Sequence, residues 1–117
     1  MQIDWLLDSG CTDHVINNVD YFSECETLKQ PIDVKIADGK ILKATKVGKV
    51  ISYFSVYEYF VPIEITNVFY VENMDRNLIS YAKITDKHKI VSVGNSSNVF
   101  DKNNRLIAIA WKEGRLF

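Results

Sequence analysis

The stretch that most narrows the possible folds is Trp5-Leu6-Leu7-Asp8-Ser9-Gly10. Three apolar residues without alternation predict a short strand buried on both faces. That strand runs straight into a carboxylate, a hydroxyl and a glycine. A fold that accepts it must hold the strand between two layers of core and still open at the strand's end. Gly10 lets the chain turn away tightly, and Ser9 can hydrogen-bond locally. Asp-Ser-Gly is also an ordinary turn tripeptide, so these residues alone leave a carboxylate site and a plain turn both standing.

The rest of the chain is mostly strand material. Val15-Ile16 continues as an apolar strand to Asn17-Asn18, and Asp20 to Thr27 reads as a loop with one helical turn, docked by Tyr21 and Phe22. Pro31 opens a hairpin: Val34 to Ile36 goes out, Ala37-Asp38-Gly39-Lys40 turns, and Ile41 to Val47 returns. Asp-Gly between extended runs is among the stronger short-range hairpin signals, because both residues can adopt positive φ. A polar tip and lysines at 35, 43 and 46 predict that much of this hairpin stands in solvent. Beyond Gly48, Val50–Phe54 and Tyr57–Ile65 are rich in aromatic and β-branched residues, with Glu58 and Glu64 outward and Pro62 marking an edge or bulge. Val68–Val71 reads as a further buried strand. Asp75 is placed to cap a helix over Arg76 to Asp86, with Leu78, Ile79 and Ala82 on one face and Arg76 and Lys83 outward. Ile90–Val93, a Gly-Asn-Ser-Ser turn, and a hairpin of Asn98–Asp101 with Leu106–Trp111 complete a meander.

A chain of 117 residues, nearly half apolar and a quarter charged, predicts one globular domain over 1–117. Its net charge of -1, with acids and bases interspersed, lacks the basic stripe of a nucleic-acid binder; a nucleic-acid-binding barrel fits the aromatic strands but not this balance. No apolar run approaches the ~20 residues of a membrane span, and the N-terminus lacks a signal-peptide pattern. Two cysteines, Cys11 and Cys25, allow one bridge but no disulfide framework, which points to a reducing compartment. With His14 and His88 they lack zinc-ligand spacing, so neither metal nor other cofactor is expected.

Taken together, the landmarks resemble the protease region of copia-type retrotransposon polyproteins. That family has an apolar strand, then D-S-G, a small residue or Cys, Ser/Thr, any residue, and His; here these are Asp8, Ser9, Gly10, Cys11, Thr12 and His14. Downstream it carries N-V-L-Y-V-P, a spacer and N-L-I-S; here Asn67-Val68-Phe69-Tyr70-Val71 and Asn77-Leu78-Ile79-Ser80, with Glu72 in place of the proline. The resemblance runs from Trp5 to Trp111. It implies a mainly β, small closed retropepsin-like barrel with one short helix. The activity implied is that of an aspartic endopeptidase, working as a homodimer on a retrotransposon polyprotein in the cytoplasm, within virus-like particles.

The resemblance makes Asp8 the catalytic acid, Ser9 the hydroxyl that links the two loops across the dyad, and Gly10 a backbone position beside substrate. The Val34–Val47 hairpin takes the place of the flap, with Ala37, Asp38, Gly39 and Lys40 contacting substrate, and the helix lies behind the loops. Only one such loop is present, so the second carboxylate must come from elsewhere, most economically from a second copy across a two-fold axis, and Asp13 is expected to point outward. His14 is expected to be a structural hydrogen-bond partner and Cys11 a small buried residue; Cys11 as a nucleophile with His14 as base lacks an orienting third group. Asp8 has only seven residues ahead of it, fewer than in retroviral proteases. A circular permutation, with the C-terminal hairpin filling the missing strand positions and Gln2–Asp4 and Gly114–Phe117 at the subunit interface, would account for this, as would truncation. The rival expectation is a silent, domesticated or trimmed copy kept as a dimerisation or peptide-binding module.

Overall fold

A computed structural model describes residues 3–85, 87–111 and 115–116. Among these residues, ten strands and one short helix follow in the order β1 (Trp5–Asp8), β2 (His14–Ile16), β3 (Phe22–Lys35), β4 (Ile41–Val56), β5 (Tyr59–Tyr70), β6 (Asn77–Ser80), α1 (Tyr81–Thr85), β7 (Lys89–Val93), β8 (Ser96–Phe100), β9 (Leu106–Trp111) and β10 (Arg115–Leu116). They form one coiled sheet, ordered β3-β4-β5-β2-β6-β1-β10-β9-β8-β7. The sheet curls until β4 and β5 contact β9 across the core. This is the mainly β, barrel-like architecture with one short helix that the resemblance implied.

Two cores form, and the central strands separate them. The larger gathers Trp5, Ile16, Val50, Phe54, Val68, Ile79, Val99 and Leu116 among others; the smaller gathers Cys11, Val15, Val34, Ala44, Val71 and Leu78. Adjacent residues of β2 (Val15, Ile16) and of β6 (Leu78, Ile79) therefore enter opposite cores. In β1, Trp5 lies in the larger core while Leu6 packs on the smaller one and Leu7 on the larger. Such double burial is why these strands show no alternation. The Trp5 indole is satisfied inside the larger core by Ser52 Oγ at 3.0 Å.

The helix expected over Arg76–Asp86 is shorter than its pattern. Asn77–Ser80 is strand, lying between β1 (parallel) and β2 (antiparallel), and only Tyr81–Thr85 is helical; Asp86 falls outside the described residues. All four β6 residues are buried. A strand there pairs the backbone groups of β1 and β2 that a helix would leave unmet. Asp20–Thr27, expected as loop, gives one 3-10 turn at Val19–Tyr21 and then the start of β3. Gly48 lies within β4 rather than before it, and a Cβ there would strike the Glu24 carbonyl and Cys25 on β3, so the close approach of the two strands requires glycine.

The expected hairpin forms from β3 and the first part of β4, with Val34 paired to Leu42 and Lys35 to Ile41. It stands in solvent on one face only, since Val34 and Ala44 are fully buried in the smaller core. Its tip is a 3-10 turn, Ala37–Gly39, closed by Ile36 N–H to Lys40 O at 2.9 Å, with Gly39 at φ 74. Pro62 sits where β5 is paired on one side only, opposite Tyr53. Glu58 and Glu64 are exposed.

The C-terminal strands complete the sheet beside β1. β10 pairs with β1 (Trp5 with Leu116) and with β9, so Leu106–Trp111 lies one strand away from Trp5–Leu7. Of the segments expected at a subunit interface, Ile3 and Leu116 are buried in this chain's own core. Gln2, Gly114 and Phe117 lie outside the described residues.

Candidate active site

β1 is clamped between β6 and β10, and Asp8 is its last residue, in register with Ser80 on β6. The carboxylate is half-buried, and its Oδ1 accepts the Gly10 N–H at 2.6 Å. Asp8 itself thus makes the local bond that its neighbour was expected to make: an Asx turn, acid to the amide two residues on. Ser9 is exposed, and its side chain makes no hydrogen bond among the described residues. Gly10 passes so close beneath the hairpin tip that a Cβ would lie 3.1 Å from Ala37 Cα and Cβ, and 3.2 Å from Asp8 Oδ1. Glycine at this position lets the two loops touch.

The structure therefore brings together Asp8, Gly10 and Ala37. Lys40 is exposed where the turn closes, and Asp38 belongs to the same turn. Thr12 ties the Asp8 loop to the root of the hairpin: its N–H donates to Lys35 O at 3.0 Å, and its Oγ1 accepts from Lys35 N–H at 3.3 Å.

Behind the loop, Ser80 acts as a hub. Fully buried, it donates Oγ–H to Cys11 O at 3.0 Å, accepts the Lys83 N–H at 3.3 Å, and gives its own N–H to His14 Nδ1 at 3.0 Å. His14 is buried, as expected of a structural partner. Burial, reinforced by the Lys83 and His88 charges and opposed by Asp13, pulls its pKa down from 6.5 to about 4, so the imidazole is neutral and its Nδ1 is free to accept. Asn77, three residues earlier on β6, accepts Asn17 N–H at 2.9 Å and donates to Asp4 O at 3.2 Å. Asn77 and Ser80 carry the scaffold of the site, a role that sequence reasoning did not give them. The signal was available in two polar residues flanking Leu78-Ile79, and a helical reading of the segment hid it.

Asp13 is not the outward loop residue expected. It is half-buried, accepts Thr12 Oγ1–H at 2.9 Å and pairs with Lys83 Nζ at 3.3 Å. Cys11 is buried, with Sγ 3.6 Å from Asp8 O. Burial first, then the Asp8 charge, pushes its thiol up to about 11, the opposite of what a nucleophile needs. Cys25 is exposed on β3, and both thiols are free. No helix among the described residues is long and apolar enough to cross a membrane.

Comparison with known proteins adds a family. A model described as the Pol polyprotein β-barrel domain matches residues 5–89. In Arabidopsis thaliana, the retrovirus-related Pol polyprotein from transposon RE1 is 29% identical over 86 residues, and that from transposon RE2 is 30% identical over 86 residues. Each alignment covers 74% of this chain but 6% of the relative's length. No solved structure matches.

Proposed function

Since the chain belongs to the Pol polyprotein β-barrel domain family, we propose that it is the aspartic endopeptidase region of a copia-type retrotransposon polyprotein, active as a homodimer with one Asp8 from each copy. The observation that carries this reading is the Asp8 carboxylate at a clamped strand end, held by the Gly10 amide directly beneath the Ala37–Gly39 turn. The kinship with the RE1 and RE2 transposon polyproteins supports the retrotransposon origin. Cytoplasmic processing of the polyprotein within virus-like particles is the setting this role implies.

Amide hydrolysis by carboxylates needs a base to activate water and an acid to protonate first the carbonyl oxygen and then the leaving nitrogen. Two carboxyls a few ångströms apart supply both, because the pair keeps one proton that neither residue owns alone. Within one chain, Asp13, the next acid along the chain after Asp8, is engaged by Lys83 and Thr12. A two-fold axis between two Asp8 loops supplies the second carboxyl economically, and exposed Ser9 is then free to reach across it. An extended peptide lying between the loops and the turns pairs its backbone with strand edges, while side-chain pockets set preference. The turns close over it and exclude water. The raised Cys11 thiol weighs against a cysteine nucleophile.

The test is Asp8→Asn in the purified protein, assayed on peptides spanning polyprotein junctions, with sedimentation in the presence and absence of a statine-type peptidomimetic. Cleavage should be lost while the dimer and the fold persist, and the wild-type rate should peak between acid and neutral pH. A variant that still cuts at the wild-type rate ends the proposal.

A further inference from the structure

The ribbon formed by the second half of β4 and the first half of β5 has a face that this chain's own core does not cover. Beyond Val50, which lies opposite Phe22 of β3, β4 is paired only with β5, and β5 up to Ile65 only with β4, among the described residues. The inner residues Val50, Phe54 and Ile65 enter the larger core. Cross-strand partners share a face, and the outer pairs are Ile51 with Glu64, Tyr53 with Pro62 and Ser55 with Phe60. Ile51, Tyr53 and Phe60 are exposed there, Phe60 to 63%. Apolar side chains gathered on an open sheet face mark an interaction surface.

The tip of the ribbon is an independent sign. Val56 and Tyr59 pair across the turn Tyr57-Glu58, and Tyr57 sits at φ 54. Hairpin turns of this length call for glycine, asparagine or aspartate at positive φ, because a Cβ crowds the backbone there. Tyrosine is strained in that place, yet Tyr57 is 79% exposed and Tyr59 beside it 72%, so packing within this chain does not offset the strain. Strain kept around an outward-facing side chain points to a use outside the chain.

Charge narrows the partner. From Val50 to Asn67 the chain carries Glu58 and Glu64 and no Lys, Arg or His. Neither acid has an ion pair among the described residues. Lys49, at the root of the ribbon, is taken by Glu24 at 3.2 Å, and Lys87 lines the same cavity as Glu64 without pairing with it. An acidic rim repels the phosphates of nucleic acids and of anionic lipids. Aromatic faces beside carboxylates attract guanidinium and ammonium groups instead.

We infer that the outer face and tip of this ribbon dock a basic polypeptide segment. Its apolar residues lie on Ile51, Tyr53 and Phe60, and its arginine or lysine side chains lie over Tyr57 and against Glu58 and Glu64. Neither Asp8 nor the Ala37–Gly39 turn belongs to this surface, so the docking is independent of cleavage.

The test titrates the native protein into a fluorescently labelled peptide of repeated arginine-arginine-leucine-leucine, read by anisotropy, and repeats the titration with Asp8→Asn so that cleavage cannot remove the probe. Extended, this repeat presents both residue types on each of its faces. It should bind saturably. Counterparts with glutamate for arginine, or serine for leucine, should bind about ten-fold more weakly or worse. Glu58→Lys should weaken the peptide by about ten-fold. Tyr57→Gly should weaken it by about ten-fold while the urea midpoint holds, because glycine accepts the conformation of the turn without strain. Circular dichroism checks that each variant is folded; if Tyr57→Gly is not, Glu58→Lys, at an exposed turn position, decides. Absence of saturable binding, equal binding of the glutamate counterpart, wild-type affinity in either folded variant, or tighter binding of single-stranded DNA or phosphatidylserine vesicles overturns the assignment. So does self-association in sedimentation that Tyr57→Gly abolishes and the peptide does not displace, since a second copy then covers the face.

Discussion

His14 should give this protein a stability that drains away in acid well before most carboxylates protonate. The neutral imidazole is buried and accepts the Ser80 N–H at 3.0 Å through Nδ1, a bond that a proton on that nitrogen abolishes. Its pKa falls from 6.5 to about 4 on folding. The unfolded chain therefore binds a proton more readily than the native one throughout that interval, and stability must fall as pH falls through it. Working the linkage through, the contribution is near zero at pH 8, has cost about 2 kcal/mol by pH 5, and about 3 kcal/mol by pH 4. Urea unfolding from pH 8 to pH 4 measures this. The comparison is with His14→Asn, whose side-chain oxygen can still accept from Ser80 but cannot titrate. The variant should be less stable than wild type at pH 8 and should lose about 2 kcal/mol less on going to pH 5. Parallel pH profiles for the two proteins would refute the reasoning, as would an NMR titration placing His14 near 6.5.

Ser80→Ala removes a buried hydroxyl that serves both Cys11 O and the Lys83 amide, and should cost about 1–3 kcal/mol in chemical denaturation while loosening amide exchange across residues 9–13. Gly48→Ala would bring a Cβ into overlap with the Glu24 carbonyl and within 2.7 Å of Cys25 Cα, so the β3–β4 pairing must open there. A loss of about 3 kcal/mol is expected, read as a lowered urea midpoint. Iodoacetamide at pH 8 should label exposed Cys25 and spare Cys11, which is buried with its thiol raised to about 11. Mass spectrometry of peptides from the native and the denatured protein reads the difference, and equal labelling of both in the native state contradicts the burial.

Much of the architecture was legible because it is written in local rules. The unalternating Trp5–Leu7 run announced a strand with core on both sides, and Asp-Gly between two extended runs announced the hairpin that ends in Ala37–Gly39. His14 reads as a structural hydrogen-bond partner and Cys11 as a small buried residue, and both are buried, with His14 accepting the Ser80 N–H. Asn77–Ser80 misled because four apolar and polar residues ahead of a real helix fit its period as well as a strand's. What decided between them was a vacancy between β1 and β2, two segments far from it in sequence, whose unpaired amides and carbonyls only an extended backbone can satisfy.

By itself, then, the sequence determined the strand-rich class, the placing of an acid at the end of a buried strand, and the kinship its motifs carry. Only the tertiary structure decided that the Asp8 loop touches Ala37 across the gap that Gly10 leaves, that Ser80 ties that loop to His14, and that Asp13 is taken by Lys83. The division follows the reach of the forces. Turn preference and pleat period act over a few residues and can be read along the chain. Which buried donor meets which acceptor depends on contacts between segments about seventy residues apart, fixed when the sheet coils and each unpaired polar group must find whichever partner the packing has brought within reach.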